Sequence, residues 1–418
     1  MTRYLEDKKA SAAVLCICFI AYTIIAFARN AYTAAVPGII AEGIFTKVDV
    51  GTINSSFFLT YGAVQIFGSF LTDKIAPFKI ILLGLLGTVA SNIAMAVSPT
   101  YTVIFIARAA SGVAQFGTWP ALLKIVAEYV NKDYRRSAMY IMPLGMQAGY
   151  ILSYLVAAVV LTYGKWKDLF TISYILLAVV SVIFVMVFSH AKKKEVKAPA
   201  VERKSDSADT HKEKGSGIGL LISSGALILI IPIFAKSLIE SSVTSWFPTM
   251  IMESYGASAG VSSALTVIVT CAGFLAVFCV AFFYPRIFKT HTVAVGVFFA
   301  MIIPMAASLM FIGKIPLAVA MLAIVIIAVL KSAIHQFFTV EIPAVYTMYN
   351  KAGTVAGIIN AVACLASVVS GVLYGYLAEN FDWSITALSW GALALFGVAF
   401  SFIQTPMWKR FLKKTNKY

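Results

Sequence analysis

Charge is what this chain has least of. Only 12% of its 418 residues are Asp, Glu, Lys or Arg, about half the ~25% of a soluble domain. With a mean hydropathy of +0.89, most of the chain must lie in lipid. Cysteine is sparse as well. All five (Cys16, Cys18, Cys271, Cys279 and Cys364) fall inside apolar runs, so free thiols are expected and no disulfide framework. A P-loop is missing, which excludes direct drive by ATP. No His/Cys cluster has metal spacing, and no Ser/His/Asp set falls in one plausible pocket. Neither an enzyme nor a cofactor is expected. The first apolar run is too long for a cleaved signal peptide, and no small-residue cleavage site follows it.

Apolar runs are what is there, near 11–37, 52–72, 80–98, 101–127, 138–161, 168–189, 220–250, 258–284, 292–312, 315–345, 353–378 and 384–406. About 20 apolar residues span a bilayer, and several runs are long enough to imply tilt or kinks. The expected fold class is an all-α membrane protein of twelve transmembrane helices in two six-helix bundles, residues 1–190 and 217–418. Between them, Ala191 to Ser216 is polar and of mixed charge and reads as a flexible cytoplasmic linker.

The net charge of +15 would suit a nucleic-acid partner, but its placement decides otherwise. With the N-terminus inside, tails and loops on the cytoplasmic side hold 24 of the 33 Lys and Arg residues. The outer loops hold four (Lys47, Lys165, Lys167, Lys314), and five are embedded. This positive-inside asymmetry predicts a multi-pass protein of the inner (plasma) membrane with both termini cytoplasmic, and the lipid bilayer as its polyvalent partner. No nucleic-acid partner is needed, and a monomer is expected.

The halves look like copies. Asn131-Lys132 and Asn350-Lys351 are 219 positions apart; Lys165-Trp166-Lys167 and Asp382-Trp383-Ser384 are 217 apart. Parallel six-helix repeats with a central linker are the plan of a transporter whose halves rock about a midplane site.

The embedded charges are the candidate site. Arg29 stands alone in Ala10–Ala41, 32 residues with no other charged group. A lone guanidinium at membrane depth costs at least a few kcal/mol and is tolerated when it faces a bundle interior or a watery cavity. It reads as an anion ligand or as one half of a salt bridge to Glu240. Lys236 and Glu240 share a helix face by i,i+4 spacing and either neutralise each other or serve the site. Lys331 and His335 repeat that spacing, with a functional and a packing reading both open. Arg108 reads as structural. Asp73 and Lys74, at a cytoplasmic helix end, read as a gating or loop-bracing pair. Gly145/Gly149, Gly353/Gly357 and Gly371/Gly375 are small-xxx-small pairs that let helices approach closely.

Along its whole length the chain resembles the major facilitator superfamily, and within it the organophosphate:phosphate antiporters, the glycerol-3-phosphate and hexose-phosphate transporters. Arg29 with Pro37 eight residues on matches that family's phosphate-binding arginine and its proline. Tyr61-Gly62, then Asp73-Lys74, Pro77 and Lys79, match its loop between helices 2 and 3. Gln115-Phe116-Gly117-Thr118-Trp119-Pro120 with Lys124, Trp246-Phe247-Pro248-Thr249, and Lys351 through Gly357 match further segments. The expected substrate set, the embedded charges taken together with the resemblance, is Arg29, Tyr32, Tyr61, Gln65, Gln147, Lys236, Glu240, Lys331 and His335. It departs from the family at Glu240, where a second arginine stands, and at Gln65 and Gln147, where a lysine and a histidine stand. One arginine, a lysine and a carboxylate suit a less negative or zwitterionic ligand. Three functions remain open: exchange of an organophosphate for inorganic phosphate, proton-coupled symport of an organic anion or zwitterion, and a transporter-like membrane sensor.

Overall fold

A computed structural model of the chain describes residues 3–98, 100–197, 224–288, 290–349 and 351–414. Nearly all of them are helical. The first half contains α1 (Lys8–Ala41), α2 (Lys47–Lys74), α3 (Pro77–Val97), α4 (Tyr101–Gln115), α5 (Thr118–Lys124), α6 (Lys132–Tyr163) and α7 (Asp168–Lys192). The second contains α8 (Ile230–Tyr255), α9 (Ala259–Ile287), α10 (His291–Leu309), α11 (Leu317–Gln336), α12 (Ala352–Asn380) and α13 (Trp383–Lys414). Because α4 and α5 together fill one apolar run, these make twelve membrane segments, six in each bundle. Eight of the described helices are long and apolar enough to cross a membrane on composition alone. The chain divides into two compact units, Met1–Asp206 with Ser258–Val267, and Ser207–Ala257 with Ile268–Tyr418.

Each bundle repeats one packing plan. In the first, α1 packs on α6 and α7, and α3 on α4 and α7. In the second, α8 packs on α12 and α13, and α10 on α11 and α13. Two local features repeat with it. The Trp166 indole N–H donates to Glu42 Oε2 at 2.9 Å, at the C-cap of α1. The Trp383 indole N–H donates to Glu253 Oε2 at 2.8 Å, in the last turn of α8. Both bundles also widen one turn into a π-helix at matching places, Ile125–Tyr129 after α5 and Phe337–Glu341 after α11; such turns recur at functional sites.

Close approach of α6 to α1 rests on Gly149, where a Cβ would lie 2.3 Å from the Thr23 carbonyl oxygen and 2.7 Å from Ala26 Cβ. The expectation for Gly353 and Gly357 is corrected: a Cβ at either would meet nothing within 4 Å. Their spacing is that of a helix seam, but no neighbour is seated there.

The expected flexible linker is corrected at its start. Residues up to Lys192 continue α7, and Glu195–Lys197 pairs antiparallel with Arg3–Leu5 as a short β1–β2 ladder. Tyr129 donates to Glu195 Oε1 at 2.8 Å, and Lys194 Nζ lies 2.8 Å from Asp7. Asp7 also caps α1, accepting from the backbone N–H of Lys9 and Ala10. The Lys194 ammonium and those two N–H groups hold its carboxyl below the ordinary 3.8. Local polarity suggested a tether; the partners that order these residues come from the other end of the bundle's chain. Residues 198–216 of the linker lie outside the described residues.

Candidate substrate-binding site

In the first bundle Arg29 sits two-thirds of the way along α1. It is half-buried, whereas its neighbours Ala28, Asn30, Ala31 and Tyr32 are buried. Its Nε donates to Gln115 Oε1 at 2.8 Å. Its guanidinium lies over the rings of Phe57 (5.4 Å) and Tyr61 (5.3 Å), which stack on each other at 5.8 Å. Tyr22 and Tyr150 complete the surroundings. Gln115 is held in turn: its Nε2 donates to Thr88 Oγ1 at 3.1 Å and Ser111 Oγ at 3.0 Å. An amide with both hydrogens committed can offer the arginine only its oxygen, so the network fixes the guanidinium's orientation.

Arg108 is fully buried beneath this layer. It donates to the Arg29 carbonyl oxygen and to Asn54 Oδ1, both at 2.9 Å, and covers the rings of Tyr32 (4.9 Å) and Phe57 (4.8 Å). These bonds tie α4 to α1 at Arg29 and to α2 at Asn54. Among the described residues neither arginine makes an ion pair, so two positive charges stand in this bundle with only neutral acceptors around them.

The other residues expected here fall into distinct places. Tyr32 is fully buried, its hydroxyl donating to the Val50 carbonyl at 3.1 Å. Tyr61 walls Arg29 directly. Gln65 on α2 and Gln147 on α6 are half-buried. The side chains of Asp73 and Lys74 lie outside the described residues. Gln115 was absent from the expected substrate set, although it stood in a quoted motif; a glutamine inside an apolar run was the available signal. Tyr150 carried no such signal, because tyrosine is common in these helices.

In the second bundle four expected residues meet. Lys236 and Glu240, one turn apart on α8, form an ion pair. Lys236 Nζ also contacts His335 Nδ1 on α11. Lys331 Nζ lies 3.7 Å from Glu240 Oε1, and His335 Nδ1 lies 3.7 Å from Glu240 Oε2. Lys236 is buried, while the Glu240 and His335 side chains are 31% and 46% exposed. Where Lys236 is the donating ammonium, Nδ1 of His335 is the accepting nitrogen and the imidazole is neutral. The tetrad then holds two ammonium groups and one carboxylate, a net charge of +1.

The two sites are related by the internal repeat. Arg29, Pro37 and Glu42 correspond to Glu240, Pro248 and Glu253, each pair 211 positions apart. Glu42 and Glu253 are the acceptors of the two matching tryptophan bonds, so the register is fixed by geometry as well as by sequence. Arg29 and Glu240 occupy equivalent positions of equivalent helices.

A family model of the Major Facilitator Superfamily matches residues 18–371. A probable hexose phosphate transport protein of Chlamydia trachomatis is 25% identical over 202 residues, 48% of this chain and 44% of that protein. The chain thus spans less than half the length of this curated relative. A hexuronate transporter of Bacillus subtilis is 22% identical over 400 residues, 93% of both chains. Among solved structures, a bacterial homologue of the human lysosomal transporter Spinster superposes with a TM-score of 0.73 at 15% identity, covering 97% of this chain and 99% of that one.

Proposed function

The chain belongs to the major facilitator superfamily, and from that premise we propose that it is a secondary active transporter of a small organic anion. The substrate class is a sugar-sized molecule bearing one phosphate or carboxylate. The observation that carries this reading is Arg29: a half-buried guanidinium, steered by Gln115 and two aromatic rings, with no ion pair among the described residues. Nε is taken by Gln115 and Tyr150 also hydrogen-bonds the guanidinium; an oxyanion at the terminal nitrogens would use the bidentate geometry that arginine offers and lysine does not. The +1 tetrad of Lys236, Glu240, Lys331 and His335 adds a second attraction of the same sign. Relatives that move hexose phosphate and hexuronate share an anionic sugar as cargo.

Alternating access between the bundles would carry the bound anion across, with residues 1–190 and 217–418 as the moving bodies, the 191–216 segment as their connection and both termini in the cytoplasm. Exchange for inorganic phosphate is the coupling we favour. Proton-coupled symport is the second reading, favoured by the contact of Glu240 and His335 with Lys236, since a carboxylate and an imidazole in one cluster can hand on a proton. The test is uptake in proteoliposomes of a panel of hexose phosphates, hexuronates and neutral hexoses. Runs with internal phosphate and runs with an inward pH gradient separate the two couplings. Uptake of an anionic sugar is expected; uptake of neutral hexoses alone would sink the proposal.

A further inference from the structure

A cleft of about 410 Å³ opens on the first bundle, between the start of α3 and the end of α7. That size falls within the ~300–1,000 Å³ of small-molecule sites. It is separate from the Arg29 layer. Its wall is aromatic and fixed: Phe188 stacks on Phe78 and on Tyr129, each at 6.1 Å, and lies 4.6 Å from Phe184. Leu82 and the exposed Val185 continue the apolar lining, while Ser189 and Lys192, both exposed, form the rim.

Two charged side chains line the cleft, Lys192 and Glu195. Glu195 accepts from the Tyr129 hydroxyl, and Lys194 is paired with Asp7. Lys192 makes no ion pair among the described residues. An apolar slot with the Lys192 ammonium at its rim is complementary to an amphiphile that carries a phosphate on a hydrocarbon chain. In the positive-inside orientation this end of the bundle lies at the cytoplasmic leaflet, whose anionic lipids attract such lysines.

We propose that the cleft binds one acyl chain of an anionic phospholipid, with its phosphate at Lys192. A bound lipid would wedge between α3 and α7 and tie the β1–β2 end of the bundle to the leaflet.

The test is photolabelling of the full chain in nanodiscs with phosphatidylglycerol carrying a diazirine on one acyl chain, followed by peptide mass spectrometry. Labels are expected on Phe78–Leu82 and Phe184–Phe188. Unlabelled phosphatidylglycerol should chase them about fivefold more effectively than phosphatidylcholine, the effect of roughly one basic residue at an anionic surface. Lys192→Glu should erase that preference. Leu82→Trp, which fills the slot, should erase the labels; Val185→Trp does the same from an exposed position that disturbs no packing. Labelling that is indifferent to headgroup, or that persists in both tryptophan variants, overturns the proposal. Occupation by the chain's own residues 198–223 would leave the wild type unlabelled and let labels appear when that segment is shortened, which also overturns it.

Discussion

Arg29→Lys keeps the charge and removes the geometry, so it separates the two contributions. The guanidinium is held by a bond from Nε to Gln115, by a hydrogen bond with Tyr150 and by the rings of Phe57 and Tyr61. Lysine cannot donate to Gln115 from that position along its stem and presents a point charge to the oxyanion. Loss of one of two charge-assisted hydrogen bonds to the substrate is worth about 1.5–3 kcal/mol. Loss of the planar stack adds about 0.5–1 kcal/mol. Together they give about 2–4 kcal/mol, or a fall of roughly 30- to 1,000-fold in kcat/KM. The assay is counterflow of a radiolabelled hexose phosphate or hexuronate in proteoliposomes, with insertion and melting temperature checked in parallel. Gln115→Leu alone should produce part of the loss, and in the Arg29→Lys background should add little, because its effect runs through the arginine. A kcat/KM within about threefold of wild type in Arg29→Lys would refute the bidentate argument.

Under the proton-coupled reading, Glu240→Gln should leave counterflow intact and abolish accumulation driven by a pH gradient, because an amide cannot titrate; wild-type behaviour in both measurements removes the proton role. Gly112→Val should lower stability by roughly 1–3 kcal/mol, read as melting temperature, since a Cβ there would lie 2.3 Å from Thr60 Oγ1 and 2.4 Å from the Phe57 carbonyl oxygen. Gly357→Ala, in open space, should change nothing. Asp7 has its folded pKa depressed by Lys194, so its contribution is present above the ordinary 3.8 and lost as pH falls below it. Proteolysis of the N-terminal strand should therefore rise in that acid range, and Asp7→Asn should show the acid level already at neutral pH. Cysteines placed at Lys165 and Ser207 should label from the outer and inner faces respectively, and labelling of both from one face would overturn the orientation.

The twelve segments were legible because lipid demands long apolar runs, and each embedded charge stood out against them. Spacing on one helix was legible too: Lys236 with Glu240, and Lys331 with His335, follow from i,i+4 geometry. That these two pairs converge was not, since helix spacing does not say which faces of α8 and α11 meet. Gln115 was visible as a polar residue in an apolar run, yet its partner 86 positions away was not. The β1–β2 ladder was hidden for a similar reason. Three residues at each end of a bundle carry no strand signal of their own, and only Asp7, Asn131 and Tyr129 around them make the pairing stable.

Glu240 is the residue whose meaning changes most between sequence and structure. Taken alone, a carboxylate at the position equivalent to Arg29 would cancel part of the field that attracts an anion. The tetrad reverses that conclusion. Lys236 pairs with Glu240, and Lys331 stands 3.7 Å away on α11, so the tetrad keeps a net charge of +1 with the carboxylate present and His335 neutral. The first bundle keeps two guanidinium groups facing neutral acceptors. Opposite signs at repeat-related positions therefore do not give the bundles opposite fields; both favour an anion, and the second does so with a group that can take up a proton. The difference from a two-arginine site is one of degree. A lysine pair partly offset by a carboxylate holds a monoanion or a phosphate monoester less tightly than two bidentate arginines would. A carrier needs that moderation, because a ligand bound too tightly in either state deepens one well and slows the transition between them.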